Sequence, residues 1–299
     1  MKLIDAHHHF WDISSNYHPW LCDESQIPFR YGNYADIRTN YLPKDYEDDT
    51  AQFEIIGSVH VEAEWNPEDP VGETRWLTSI TQTCQHPVVF VVQARLDQNN
   101  IEEVLTGHSA FPQVRGIRHK PTSTTQNAAK QRGLRGSMDD PKWRDGYAQL
   151  GHLGYSFDLQ VPYWHLDQAA DLAADFPETT LVINHTGLPS DRSELGLSNW
   201  SKAIEQVAQN LNVMIKISGL GQTNHARTVE SNRDIVLRTL NIFGTDRCMF
   251  ASNYPVDRLQ GFDIATLYGH FVDWTKDLPA ADREALFHDT AASAYGMDS

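Results

Sequence analysis

The sequence predicts a single (β/α)8 barrel of the α/β class spanning residues 1–299. Three observations support it. Eight short apolar runs rich in β-branched residues recur along the chain, helix-like stretches separate most of them, and no proline-rich linker, low-complexity tract or short repeat marks a second domain. Strand-then-helix alternation implies parallel strands joined by crossover helices, and eight such units in roughly 250–300 residues suit a closed barrel. A doubly wound open sheet is the competing arrangement, but no glycine-rich phosphate turn follows the first run.

The elements follow in order. Leu3–Ala6 runs straight into His7-His8-His9 and precedes a long connection from Phe10 to about Asn40, then a helix over Pro43–Gln52. Ile55–Val61 is paired with a helix over Asp69–Cys84, and Val88–Ala94 with Ile101–His108. Val114–Ile117 precedes a second long connection, Thr122 to about Asp139, and a helix over Pro141–Leu153. Tyr155–Val161, Thr180–Asn184 and Val213–Ile217 alternate with Leu166–Asp175, Ser198–Gln209 and Glu230–Phe243. Cys248–Ala251 is the eighth strand, and helices over Phe262–Lys276 and Ala281–Tyr295 close the chain. The long loops after strands one and four are expected at a mouth that holds substrate.

Alternation assigns faces, because the outer face of a barrel strand packs on helices and the inner face near its C-terminal end looks into the pocket. Val59, Val61 and Ala63 are expected outward, with His60 and Glu62 inward. The same reading puts Gln93, Arg95, Arg118, Asp158, Gln160, Lys216 and Ser218 inward, with His185 at the end of strand six. So many polar groups at one end of one face imply a wet, functional cavity.

With 24 basic against 40 acidic residues the net charge is −16, which argues against a nucleic-acid or anionic-membrane partner. No apolar stretch approaches the ~20 residues of a membrane span, and the N-terminal sequence leaves no room for a signal peptide. Cys22, Cys84 and Cys248 fit neither a disulfide framework nor a CxxC zinc site, so a reducing cytoplasm is the expected compartment. The oligomeric state is not legible.

His7 and His9 share one face of a strand, and two imidazoles at a strand end can grip one divalent ion. With His185 they form the candidate metal set, zinc first and manganese second; a hydrogen-bonded pair without metal is the competing role. Bound water at such an ion drops to a pKa of about 7.

Ile4-Asp5-Ala6-His7-His8-His9-Phe10-Trp11-Asp12, Gly116-Ile117-Arg118-His119, Asn184-His185-Thr186-Gly187-Leu188-Pro189, Ile217-Ser218-Gly219-Leu220 and Ser252-Asn253-Tyr254-Pro255-Val256 together resemble the amidohydrolase-2 (amidohydrolase-related) family. The nearest branch is that of the barrel hydrolases that include sugar-acid lactonases. The resemblance runs in order over essentially the whole chain. It implies a first-strand histidine pair and a later histidine around one divalent ion, and a hydrolase that opens a lactone of sugar-acid origin.

One departure stands out. The family's eighth strand usually ends Ser-Asp-x-Pro, its aspartate serving as metal ligand and general base, where this chain has Asn253. A carboxamide accepts no proton at neutral pH. The base role would then fall on Asp257, Asp158, His60 or His119. A lactone isomerase or a decarboxylase on the same barrel, without metal, is the alternative function. Arg118 is the expected anchor for a carboxylate or lactone carbonyl, with Lys120 beside it, since a guanidinium fork matches such oxygens. Trp11, in the first long loop, and Trp164, after the fifth strand, are the aromatic candidates for stacking on a sugar ring.

Overall fold

The computed structural model describes residues 2–125, 127–221, 229–261 and 263–297. Eight strands, β1 (Lys2–His8), β2 (Glu54–Val61), β3 (Val88–Gln93), β4 (Val114–Arg118), β5 (Ser156–Leu159), β6 (Leu181–Ile183), β7 (Val213–Ile217) and β8 (Cys248–Phe250), pair in sequence order. All seven pairings are parallel. The last strand returns to the first just beyond its end: Asn253 N donates to His7 O at 2.7 Å and His9 N to Tyr254 O at 2.8 Å. Asp5 ties the same seam, accepting from Ser252 N at 2.8 Å and Ser252 Oγ at 2.6 Å. The architecture is a (β/α)8 barrel.

Helices alternate with the strands as the sequence predicts. Pro141–Leu153 shows why its limits were legible: Asp140 caps it by accepting from Lys142 N, proline occupies the first turn, and Gly154 ends it at φ +67°. The helix expected from Phe262 runs over Ile264–Thr275, and Phe262 itself lies outside the described residues. The closing stretch divides into Ala280–Glu284, a π-helical turn over Ala285–Asp289 and Thr290–Tyr295. Among the described residues no helix is long and apolar enough to cross a membrane.

Two apolar layers build the barrel. Phe90, Val92, Ile117, Phe157, Leu159, Ile183, Ile215 and Phe250 belong to the large layer that meets the helices. Ile4, Ala6, Val59, Val61, Val89, Val91, Val182, Met249 and Ala251 form a smaller cluster that only the barrel interior can accommodate. Tyr295, Ala291 and Ala292 join it, so the C-terminal helix plugs the end opposite the histidines.

This corrects the facing read for the second strand. Val59 and Val61 point inward, and His60 points out toward the helix Gly72–Ile80. Alternation sends the polar Ser58 and His60 to the pocket and the valines to the helices. The register shift between Leu3 and Ile4 puts an extra residue of β2, Ile56, into the pairing, and the valines fill the barrel interior instead. In β1 the register slips between Asp5 and His8, so three residues of β1 advance against two of β2. Such a bulge re-aims the side chains that follow it, turning His7 and His9 into the mouth although Ile4 and Ala6 set the inward parity before it.

Candidate active site

At the C-terminal end of the strands a cavity of about 280 Å³ is bordered by His9, His185, Asn253, Arg118, Gln160 and Glu64, among others. His7 lies beneath it, wholly buried, its ring centre 5.0 Å from that of His9 and 4.8 Å from that of His185. Among the described residues neither His7 nitrogen has a hydrogen-bond partner. Leaving both polar atoms of a buried side chain unpaired is costly, and that cost points to a functional role.

The neighbouring imidazoles are held by second partners. His9 Nδ1 lies 2.6 Å from Val61 O. A carbonyl only accepts, so the proton sits on Nδ1 and the lone pair of Nε2 is available to a ligand. His185 Nδ1 is 2.9 Å from Ser218 Oγ. Burial, then the positive charges of Lys216 and Arg118, hold His7 well below the ordinary imidazole range; burial followed by Arg118 does so for His9, and burial followed by Arg30 for His185. All three are neutral at pH 7, the form that donates to a metal.

Gly219 permits this placement. Its φ is +59°, and a Cβ there would lie 2.6 Å from His185 Nδ1 and 2.5 Å from Arg30 Nη2. Non-glycine residues with positive φ also gather at this rim: Glu64, His185, Thr186, Leu188 and Asn253, all at 53–55°. Strained backbone of this kind concentrates at functional sites.

Arg118 lines the cavity but is already engaged: Nε donates to Glu62 Oε1 at 2.5 Å, Nη2 to Glu62 O at 2.5 Å, and Nη1 lies 3.4 Å from Gln160 Oε1. Lys120 lines it too, paired with Glu64. Asn253 reaches the cavity, and its Nδ2 donates to Asp257 Oδ1 at 2.7 Å. Asp257 is buried behind it, accepts also from Tyr31 OH at 2.9 Å, and has its carboxyl pushed up by burial. Trp164 borders a second, adjoining chamber.

Three candidates are placed elsewhere. His60 accepts from Phe10 N at 3.1 Å and has Nε2 3.4 Å from Glu73 Oε1, outside the barrel wall. His119 accepts from Trp143 Nε1 at 3.0 Å and Leu96 N at 3.2 Å and stacks on Trp143, because the chain past β4 turns it to the helix layer. Trp11 is fully buried, donates to Thr39 O at 2.6 Å and stacks behind His9, where it supports the ring and cannot meet substrate. The loop cations Lys130 and Arg132 are spent on Asp167, Asp139 and Asp171. Gln160, expected inward, lines the cavity, whereas Glu64 and Arg30 were missed as site residues. Glu64 follows the second strand, where the facing was misread, and Arg30 comes from the first long loop, which carries no periodic signal.

The displaced His60 has its own consequence. Burial, then the Glu62 charge, pushes Glu73 up to about 8, while burial drives His60 down to about 3. Glu73 thus keeps its proton in the folded state at pH 7. Its folded pKa is raised, so this stability is present below the unfolded value of about 4.3 and fades as pH rises through 8. Glu73→Gln, a neutral isostere, is expected to match the wild type near pH 4, to be more stable already at pH 6, and to hold an advantage of a few kcal/mol (about 1.4 per pH unit up to pH 8) at pH 9. A difference in Tm that does not change with pH would refute this.

A family model described as Amidohydrolase matches residues 4–297. The uncharacterized protein y4mH of Sinorhizobium fredii is 36% identical over 296 residues, covering 99% of this chain and 98% of that one. An L-fucono-1,5-lactonase of Burkholderia multivorans is 25% identical over 309 residues, covering 98% and 96%. The crystal structure of a Burkholderia multivorans amidohydrolase with bound zinc superposes at a TM-score of 0.81 and 23% identity, covering all of both chains. The strand order, the histidines at the barrel mouth and this match over nearly the full length agree: the chain belongs to the amidohydrolase family.

Proposed function

We propose that the protein is a hydrolase that opens a lactone, a cyclic ester of sugar-acid type, in the cavity above His7. The unpaired His7 between two neutral imidazoles carries the reading, and the lactonase name of a full-length relative supports it.

One divalent ion belongs to this reading, zinc before manganese, with His7, His9 and His185 as its holders. Two imidazoles sharing one ion at near-tetrahedral angles have ring centres about 5 Å apart, which the His7–His9 and His7–His185 pairs meet. Among the described residues no three His, Cys, Asp or Glu side chains yet surround a common point at coordinating distance, so loading requires side-chain adjustment. When bound, the ion would polarise the ester carbonyl or acidify a water.

The chain's own groups do the rest. Val61 O and Ser218 Oγ fix the His9 and His185 rings. Arg118, braced by Glu62, presents a guanidinium edge to the oxyanion that forms at the lactone carbonyl. Asn253 holds its amide against Asp257 and can orient a water but not deprotonate it. Glu64 is the sole carboxylate among the described lining residues, and it accepts the water's proton for delivery to the leaving alkoxide. Lys120 holds its carboxyl below the usual range, which makes it a weak base.

The second reading, a metal-free lyase or lactone isomerase on the same barrel, is favoured by one observation. The charges that act on His7 are all positive, and Asn253 adds no carboxylate. Elemental analysis after gentle purification, with a pH-indicator screen of aldonolactones, separates the two. About one equivalent of metal and hydroxy-acid product are expected. Turnover without metal, or product with no added water, would replace the first reading with the second.

A further inference from the structure

Beside the inner cavity lies a chamber of about 510 Å³, and the two share Pro28, Phe29, Arg30 and Leu188 on their dividing wall. Pockets for small ligands commonly run from about 300 to 1,000 Å³, so the inner cavity alone is at the small end. The outer chamber adds a distinct surface: Trp164, Pro162 and Pro189 give apolar faces, while Arg192 and Arg30 give charge. Among its described lining residues there is no Asp or Glu, in a protein whose net charge is −16.

Arg192 is held in place by the backbone. Nε donates to Pro189 O at 2.7 Å and Nη2 to Leu220 O at 2.9 Å, while Nη1, itself closed off from solvent, has no hydrogen-bond partner among the described residues. Neither bonded partner carries a charge, and among the described residues no carboxylate makes an ion pair with it, Asp234 acting only at longer range, so the guanidinium is positioned without a direct counter-ion. A half-buried cation beside apolar rings suits a flat or ring-shaped group that ends in a carboxylate.

We infer that the substrate is bipartite, with the reacting lactone in the inner cavity and a carboxylate-bearing extension in the outer chamber against Arg192 and Trp164. This rests on the lactone reading for the inner cavity, but the extension's recognition can be measured without it. Two probes share a γ-butyrolactone ring carrying an amide-linked butyl arm; in one the arm ends in a carboxylate, in the other in a primary amide.

The wild type is expected to prefer the carboxylate probe by about tenfold in kcat/KM. Arg192→Ala should remove most of that preference, Arg192→Lys should keep part of it, and Ser190→Asp, an added acid on the exposed rim, should oppose it. If neither probe is turned over, the lactone reading fails, and calorimetric affinities of the same pair give the same comparison. Loss of preference in Arg192→Ala and Ser190→Asp, in rate or in affinity, supports the inference. A wild type that treats the two probes alike, or variants that leave the preference within about twofold, overturns it.

Discussion

Replacing His7 with leucine is expected to abolish turnover while leaving metal-stripped protein as stable as the wild type, or more so. Its two ring nitrogens are buried without hydrogen-bond partners among the described residues, and each such atom costs about 1–3 kcal/mol relative to a paired or solvated one. Leucine fills much of the same space with no polar atom. A histidine retained for folding would behave in the opposite way, losing stability on removal. Activity should fall by at least about 10²–10³-fold, since the group at the floor of the cavity is lost. Metal retention in gently purified protein should fall with it. The decisive pair of measurements is Tm of the metal-stripped forms and kcat/KM of the native ones. Full activity would remove His7 from the chemistry, and a large drop in Tm with activity retained would make it structural.

Asp158→Ala is expected to be the most damaging single change to stability. Lys216 Nζ sits 2.7 Å from Asp158 Oδ2, both side chains fully buried, and Tyr295 OH donates to Asp158 Oδ1 at 2.8 Å. Burial already pulls the Lys216 ammonium below the usual lysine range, and Asp158 opposes that pull. Removing one partner of a buried pair costs about 3–5 kcal/mol, a Tm loss of roughly 5–15 °C in a chain of this size. With the folded pKa of Lys216 depressed further, the unfolded chain binds the extra proton, so the variant should regain stability as pH rises toward about 10. Asp158→Leu combined with Lys216→Met should recover most of the loss, because an apolar pair needs no compensation. A single variant as stable as the wild type, or a double variant no better than the single, would show that the pair does not anchor the barrel interior.

Both predictions rest on residues whose meaning was unevenly legible. Asp158 and Lys216 were placed inward by simple alternation, because their strands carry three clean outward residues each, Phe157-x-Leu159-x-Val161 and Val213-x-Ile215-x-Ile217. His60 was misplaced because alternation sends a polar residue between two valines to the pocket, whereas the valines fill the barrel interior past a register shift in β2, and His119 because the chain leaves the strand at Arg118 before reaching it.

The sequence by itself determined the eight strand–helix units, because hydrophobic period, caps and turn residues are local properties read within ten to fifteen residues. It also determined that His7, His9 and His185 belong together, through motifs spread over the whole chain. Only the tertiary structure decided which histidines face the mouth. A one-residue bulge in β1 and the closure of β8 onto β1 set side-chain direction, and neither leaves a trace in a pattern of apolar residues. It alone also showed that Arg118 is braced by Glu62, that Trp11 supports a ring and does not meet a substrate, and that Arg192 stands beside a second chamber. Those relations join residues far apart in the chain, and contacts of that range exist only once the barrel has closed.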